Sequence, residues 1–175
     1  AFVELEVSDE QSWKQAAAKA KQTFGPVTVL VNNAGIVRGG SVEDMDPSLF
    51  RQVIDVNLVG SFLGIQAVVP MMKRAGGGSI INISSVMGLA PLPALSAYCS
   101  SKHAIMGLTK VAALDLAKWN IRVNSVNPGI VDTPMLGKVD SLTPRRQPIS
   151  RIGAPDEISN MVLFLASDEA SFCTG

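Results

Sequence analysis

The sequence predicts an α/β fold: a doubly wound parallel sheet with helices on both faces, three layers deep (α/β/α). Two observations carry this expectation. Short apolar runs alternate with longer amphipathic ones along the 175 residues, as β–α units on a parallel sheet require. The polar and glycine-rich signals fall just after apolar runs, at Asn32-Asn33-Ala34-Gly35, Ser84-Ser85 and Asn127-Pro128-Gly129. In open parallel sheets ligands bind outside the carboxyl ends of the strands, so motif position and topology agree. The length fits one domain, large enough to bury most of its apolar surface.

Residues 2–7 read as a first strand. Ser8 or Asp9 can cap a helix running to Phe24, which Gly25-Pro26 ends. Residues 27–31 are wholly apolar, the pattern of a strand buried on both faces. A loop over 32–46 follows. Asp46-Pro47 starts the next helix, a cap followed by proline in the first turn. That helix extends toward Lys73 with Pro70 near its end. Gly76-Gly77-Gly78 makes a turn into a strand over 79–83. A loop with Pro91 and Pro93 covers 84–95, and a long helix covers 96–118. Residues 122–126 form a strand closed by Pro128-Gly129. A long loop spans 133–148, and a last helix covers 155–166, with Asp156-Glu157 in its first turn. No internal repeat or low-complexity segment interrupts the pattern.

Fifteen basic and fifteen acidic residues balance, with no basic stripe for a nucleic acid. The longest apolar stretches read as too short or too interrupted to span a bilayer, so no membrane association is expected. Cys99 and Cys173 lack metal-like or redox-like spacing and read as two buried thiols of a reducing, cytoplasmic setting. With one histidine, His103, and no Gly-x-Ser-x-Gly elbow, a Ser–His–Asp hydrolase is disfavoured. A structural zinc has too few ligands. The chain opens at Ala1 without an initiator Met and stops at Thr174-Gly175, after a helix that should lead into a strand. An internal fragment of a longer protein is the expectation, which leaves an upstream targeting signal open.

The most informative chemistry lies at Tyr98 and Lys102. Four residues apart on a helix, they share a face, about 5–6 Å apart at Cβ. A cation that close should lower the phenol pKa from its usual value of ~10. Such a phenol can exchange a proton with an alcohol near neutral pH. Ser85, at the end of a strand, can hydrogen-bond the same oxygen. Each residue also has a plainer reading. A lone tyrosine is usually an amphipathic surface or core residue, and Lys102 alone would be a solvated helix lysine. Ser84 reads as a loop-capping twin of Ser85. Asn57 sits among Val53, Ile54, Val56 and Leu58, and if buried it needs partners; bridging backbone groups would supply them. Asn32 reads as holding backbone. His103 lies about 100° around the helix from Lys102 and should point away from the pocket. Arg145-Arg146 read as solvated, or as an attraction for an acidic substrate.

Taken together, Asn32-Asn33-Ala34-Gly35, the Ser85/Tyr98/Lys102 spacing, Asn57 in the preceding helix, and Pro128-Gly129 followed by Thr133 resemble the classical short-chain dehydrogenase/reductase family. The resemblance covers essentially the whole chain, in order. It implies a single Rossmann-like domain over residues 1–175, lacking its first β–α units and last strand. It implies hydride transfer between NAD(H) or NADP(H) and a secondary alcohol or ketone. Tyr98 would be the acid and base, Ser85 would polarise the substrate oxygen, and Lys102 would lower the tyrosine pKa and bind the nicotinamide ribose. Asn57 would hold a water that relays protons from Lys102 to solvent. Val7, Asn33, Ala34, Gly35, Pro128, Gly129, Val131 and Thr133 would complete the cofactor contacts, beside Tyr98 and Lys102. Glu6 stands where the family has Asp, which weakens that adenine contact. The family's glycine-rich phosphate loop is not among these residues: Gly76-Gly77-Gly78 precedes a strand, and the spacing from Gly35 to Gly40 fits no dinucleotide fingerprint.

Substrate contacts are expected from Ser85, Met87, Leu92, Leu95, Tyr98 and Met135, with Val86, Ile130 and Leu136 completing an apolar lining and residues 135–148 as a lid. That lining suits a hydroxysteroid or cyclic ketone. A 3-oxoacyl thioester also fits the family, although carrier-protein reductases present basic residues where this chain has Gly76 and Trp119, with only Lys73 and Arg74 nearby. A non-catalytic binding or scaffold subunit is the alternative of a different class. The helices over 47–74 and 96–118 are apolar around much of their circumference, and the family resemblance implies a homodimer or homotetramer through them.

Overall fold

The computed structural model describes residues 1–136 and 147–175. Among these, three strands form one parallel sheet: β1 (Val29–Asn32), β2 (Gly78–Ile83) and β3 (Ile121–Val126), in that order. Leu30 pairs with Ile80, and Ile80 with Val123. Five α-helices flank it: α1 (Glu10–Phe24), α2 (Pro47–Ile54), α3 (Gly60–Ala75), α4 (Ser96–Leu116) and α5 (Pro155–Ala166).

Local chemistry starts and stops these helices where the sequence indicates. The Asp9 carboxylate accepts from the Ser12 amide at 2.6 Å, and Gly25, at φ 89°, ends α1. The Asp46 carboxylate accepts from the amides of Ser48 and Leu49, with Pro47 opening α2. Each cap satisfies donors that a helix leaves unpaired.

Two cores make the three layers. On one face of the sheet, Trp13 of α1, Ile65, Val68 and Met72 of α3 and Leu116 of α4 pack with Ile80 and Val123. On the other face, Leu165 of α5 and Ala170 pack with Ile81 and Val126. A buried polar chain crosses the first core. Asn32 Nδ2 donates to Asn82 Oδ1 at 2.8 Å and to the Ser61 carbonyl at 3.1 Å. Asn82 Nδ2 donates to Thr109 Oγ1 at 2.9 Å, and that hydroxyl donates to the Ile105 carbonyl at 2.8 Å. β1, β2, α3 and α4 are thereby tied by partnered groups, which rigidify a core rather than weaken it.

Four expectations need correction. Residues 2–7 do not form a strand: among the described residues no strand lies beside them to complete a ladder, although Leu5 and Val7 pack on the first core. β1 starts at Val29 and is an edge strand, with Val29 and Val31 42% and 39% exposed while Leu30 and Asn32 are buried. Its apolar run is thus covered on one face only. The helix from Pro47 is not uniformly α: Asp55–Val59 is a π turn between α2 and α3. Such one-turn insertions cluster at functional sites. Finally, the continuous helical stretch Pro47–Ala75 is long and apolar enough to cross a bilayer by length and composition. Its inward side chains, Val53, Asn57, Val68 and Met72 among them, are buried in the protein.

Candidate active site

The site is assembled where the sheet's carboxyl ends meet α4. β2 ends at Ile83, and Ser84 and Ser85 follow at once. Ser85 caps a short 3₁₀ turn, Val86–Gly88, its Oγ accepting from the Met87 amide at 3.1 Å. Tyr98 and Lys102 occupy the first two turns of α4. Asn57 reaches in from the π turn. Gly35 follows β1. The structure thus brings together Asn57, Ser85, Tyr98, Lys102 and Gly35, as the spacing indicates.

Lys102 is buried, 4% exposed. Its Nζ donates to the Ile83 carbonyl at 2.7 Å and lies 5.6 Å from the centre of the Tyr98 ring. Burial disfavours the ammonium and pulls its pKa down to about 8. Burial also raises the Tyr98 phenol above its ordinary value, the Ser85 hydroxyl draws it partly back, and the neighbouring Cys99 adds a smaller rise. This corrects the expectation that Lys102 holds the phenol below its usual value. The Lys102 ammonium donates to the Ile83 carbonyl, and burial of the phenol outweighs the hydrogen bond from Ser85.

Asn57 is fully buried. Its Nδ2 donates to the Ile36 carbonyl at 3.0 Å and to Ser101 Oγ at 2.9 Å, while Oδ1 accepts from the Ile36 amide at 2.8 Å. Its side chain thus bridges backbone and helix. Ser101 Oγ in turn donates to the Tyr98 carbonyl at 2.8 Å. Ser101 was not singled out from sequence, although its place three residues after Tyr98, on the same helix face, was a usable signal. Ser84 is more than a loop cap: its hydroxyl donates to the Lys102 carbonyl at 2.7 Å, tying strand end to helix.

The residues expected to hold a dinucleotide cofactor fall into three groups. A Cβ at Gly35 would sit 3.3 Å from Asn57 Oδ1 and 3.5 Å from Lys102 Nζ, so the Gly35 backbone packs closely on both. Val7, Asn33 and Ala34 share a cavity of about 110 Å³ with Trp13, Val31 and Gly60. On the far side, the Pro128 carbonyl accepts from the Val86 amide at 2.8 Å, joining the turn after β3 to the Ser85 loop. Gly129 is exposed, and Val131 makes a parallel bridge to Gly153. The Thr133 carbonyl accepts from the Leu136 amide at 3.0 Å.

Of the expected substrate contacts, Met87, Leu92 and Leu95 are half-buried and Met135 is 45% exposed. A parallel bridge to Gly40 fixes Leu95. Residues 137–146, with Arg145-Arg146 and most of the expected lid, lie outside the described residues. Cys99 and Cys173 are free and half-buried rather than buried. Among the described residues no group of three metal-ligating side chains occurs. The arrangement can offer two hydroxyl donors, Ser85 and Tyr98, to one oxygen beside a buried ammonium, which is what a developing alkoxide needs.

A family model described as enoyl-(acyl carrier protein) reductase matches residues 1–175. The chain is 51% identical over 174 residues to a trans-4-hydroxycyclohexanecarboxylate dehydrogenase of Sinomonas cyclohexanicum, covering 99% of this chain and 66% of the relative. It is 48% identical over 174 residues to a 3-alpha-(or 20-beta)-hydroxysteroid dehydrogenase of Mycobacterium tuberculosis, with the same coverage of 99% and 66%. It therefore spans just under two thirds of the length of these curated relatives. A crystal structure from Burkholderia xenovorans, described as a short-chain dehydrogenase/reductase, superposes with a TM-score of 0.91 at 35% identity, covering 98% of this chain and 69% of that one.

Proposed function

Because this chain belongs to the short-chain dehydrogenase/reductase family, we propose that it interconverts a hydrophobic secondary alcohol and its ketone, a hydroxysteroid or cyclic alcohol, with NAD(H) or NADP(H). The observation that carries this reading is the convergence of Ser85, Tyr98 and Lys102 at the strand ends, with the phenol holding its proton at neutral pH. A nicotinamide coenzyme, when bound, supplies or accepts the hydride. This chain's residues handle the oxygen and its proton. In reduction, Ser85 Oγ and the Tyr98 hydroxyl both donate to the carbonyl oxygen, and Tyr98 gives up its proton as negative charge develops there. Lys102, charged below about pH 8, favours the phenolate left behind. In oxidation Tyr98 must first lose its proton, so its raised pKa opposes that direction at neutral pH and alkali favours it. Ser101 and Asn57 hold Tyr98 and the backbone at Ile36 in place, and Asn57 also serves the proton path from Lys102.

The names of the two curated relatives support a cyclic secondary alcohol as substrate, and so do the apolar Met87, Leu92, Leu95 and Met135. Val7, Asn33, Ala34, Gly35, Pro128, Gly129, Val131 and Thr133 hold the coenzyme in this reading. Val111 and Leu114 on the outer face of α4 are 57% and 81% exposed, which supports a homodimer or homotetramer through α4 and the Pro47–Ala75 helices. A cytoplasmic site of action goes with the two free thiols. The test is a panel of ketosteroids, cyclic ketones and acetoacetyl thioesters with NADH and NADPH, following loss of the reduced coenzyme. Turnover of a cyclic ketone or ketosteroid, faster than of the thioesters, is expected. Turnover of thioesters alone would make the protein a 3-oxoacyl reductase, and binding of neither coenzyme would leave a non-catalytic fold.

A further inference from the structure

The geometry points to His103 as a positioning residue that clamps the Ser85 loop onto α4, an inference that rests on the function proposed above. His103 is exposed. Its ring nevertheless has a definite partner: Nδ1 lies 2.8 Å from the Gly88 carbonyl oxygen. A carbonyl can only accept, so Nδ1 carries the proton and the imidazole is the donor.

Gly88 is the far end of the 3₁₀ turn that Ser85 opens. The turn is closed internally by the Gly88 amide donating to the Ser85 carbonyl at 2.9 Å, and by the Leu89 and Ala90 amides donating to the Val86 carbonyl at 2.9 and 2.8 Å. It is seated on the peptide between Lys102 and His103. At its near end Ser84 Oγ donates to the Lys102 carbonyl at 2.7 Å. At its far end Gly88 lies so close that a Cβ there would be 2.8 Å from the Lys102 carbonyl oxygen and 3.1 Å from the His103 nitrogen. The imidazole bond to the Gly88 carbonyl closes this contact. Ser85 therefore sits between two fastenings to the helix that carries Tyr98 and Lys102. Releasing one lets the Ser85 hydroxyl drift relative to the phenol.

Ser84 and Gly88 are buried, so altering them also disturbs packing. His103 is exposed, and its substitution isolates the clamp. His103→Ala removes the donor; His103→Asn returns an N–H donor to nearly the position of Nδ1. Displacing a catalytic group by about 1 Å can cost about 100-fold, and loosening one of two fastenings should lower kcat roughly 10-fold in the alanine variant. The asparagine variant should recover most of that loss. Coenzyme Kd should be unchanged in both, because α4, which carries Tyr98 and Lys102, keeps its place and the other expected coenzyme contacts lie on other loops. Hydrogen exchange at the Gly88, Leu89 and Ala90 amides should accelerate in His103→Ala and not in His103→Asn, with α4 unaltered.

Unchanged exchange at those amides in His103→Ala would overturn the clamp, as would equal loss of kcat in both variants. If the unaltered protein reduces no ketone while the exchange pattern follows the donor, the clamp stands and the proposed function falls. If it reduces ketones and neither kcat nor exchange responds to His103→Ala, the clamp falls and the function stands.

Discussion

Tyr98→Phe will lower turnover by about 10²–10⁴-fold, the usual contribution of a positioned acid or base, and will leave coenzyme binding close to unaltered. The phenol oxygen is what the variant loses. The ring keeps its place on α4, and the Ser101 bond to the Tyr98 carbonyl, a backbone contact at 2.8 Å, is indifferent to the side chain. Ser85 would then face the substrate oxygen as a single donor with no proton to transfer at neutral pH. Steady-state rates with an accepted ketone, alongside fluorescence titration of the reduced coenzyme, separate the two effects. A variant that turns over like the parent would remove Tyr98 from the chemistry.

Lys102→Met should cost turnover and gain stability at once. Lys102 is 4% exposed, and its pKa falls from 10.5 to about 8 on burial. A depressed lysine pKa means that the unfolded chain binds more protons between those two values. Folding is therefore penalised fully below pH 8, and stability rises with pH from about 8 to 10.5. The difference of about 2.5 units corresponds to roughly 3 kcal/mol at 1.36 kcal/mol per unit. That is a ceiling, because the bond to the Ile83 carbonyl favours the charged form. Methionine has similar length and no charge, so Lys102→Met should unfold at a higher denaturant concentration than the parent at pH 7. It should also lose the parent's gain in stability toward pH 10. Turnover should fall because nothing then favours the Tyr98 phenolate. A variant less stable than the parent at pH 7 would show that Lys102 is held for structure and not at structural expense. Stability given up at a site that needs a buried charge is the usual trade between folding and activity.

How far the sequence reveals this protein depends on the range of the interaction in question. Caps and breakers act within a few residues, so Asp9, Gly25, Asp46 and Pro155 marked the helix ends closely. The Tyr98–Lys102 pair and Ser85 were legible because helical periodicity and a strand end fix their directions. What escaped depends on contacts distant in the chain. The π turn at Asp55–Val59 exists with Asn57 bonded to Ile36, 21 residues away. The Asn82–Thr109 bond that crosses the core joins residues 27 apart. The 2–7 segment has strand composition, but a strand needs a neighbour, and composition does not supply one. The sense of the Tyr98 pKa shift is not legible in the sequence, for a related reason. Spacing gives the proximity of Lys102, whereas burial of the phenol, which spacing does not show, sets the direction of the shift.

In the proposed reaction hydride passes directly to a carbonyl carbon while this chain supplies only the proton. The most direct test is to reduce a cyclic ketone with coenzyme deuterated at the transferring position of the nicotinamide, and to locate the label in the alcohol by mass spectrometry and NMR. Deuterium on the carbinol carbon, with the hydroxyl hydrogen drawn from solvent, is the predicted result. Alcohol formed without label at that carbon would contradict the account.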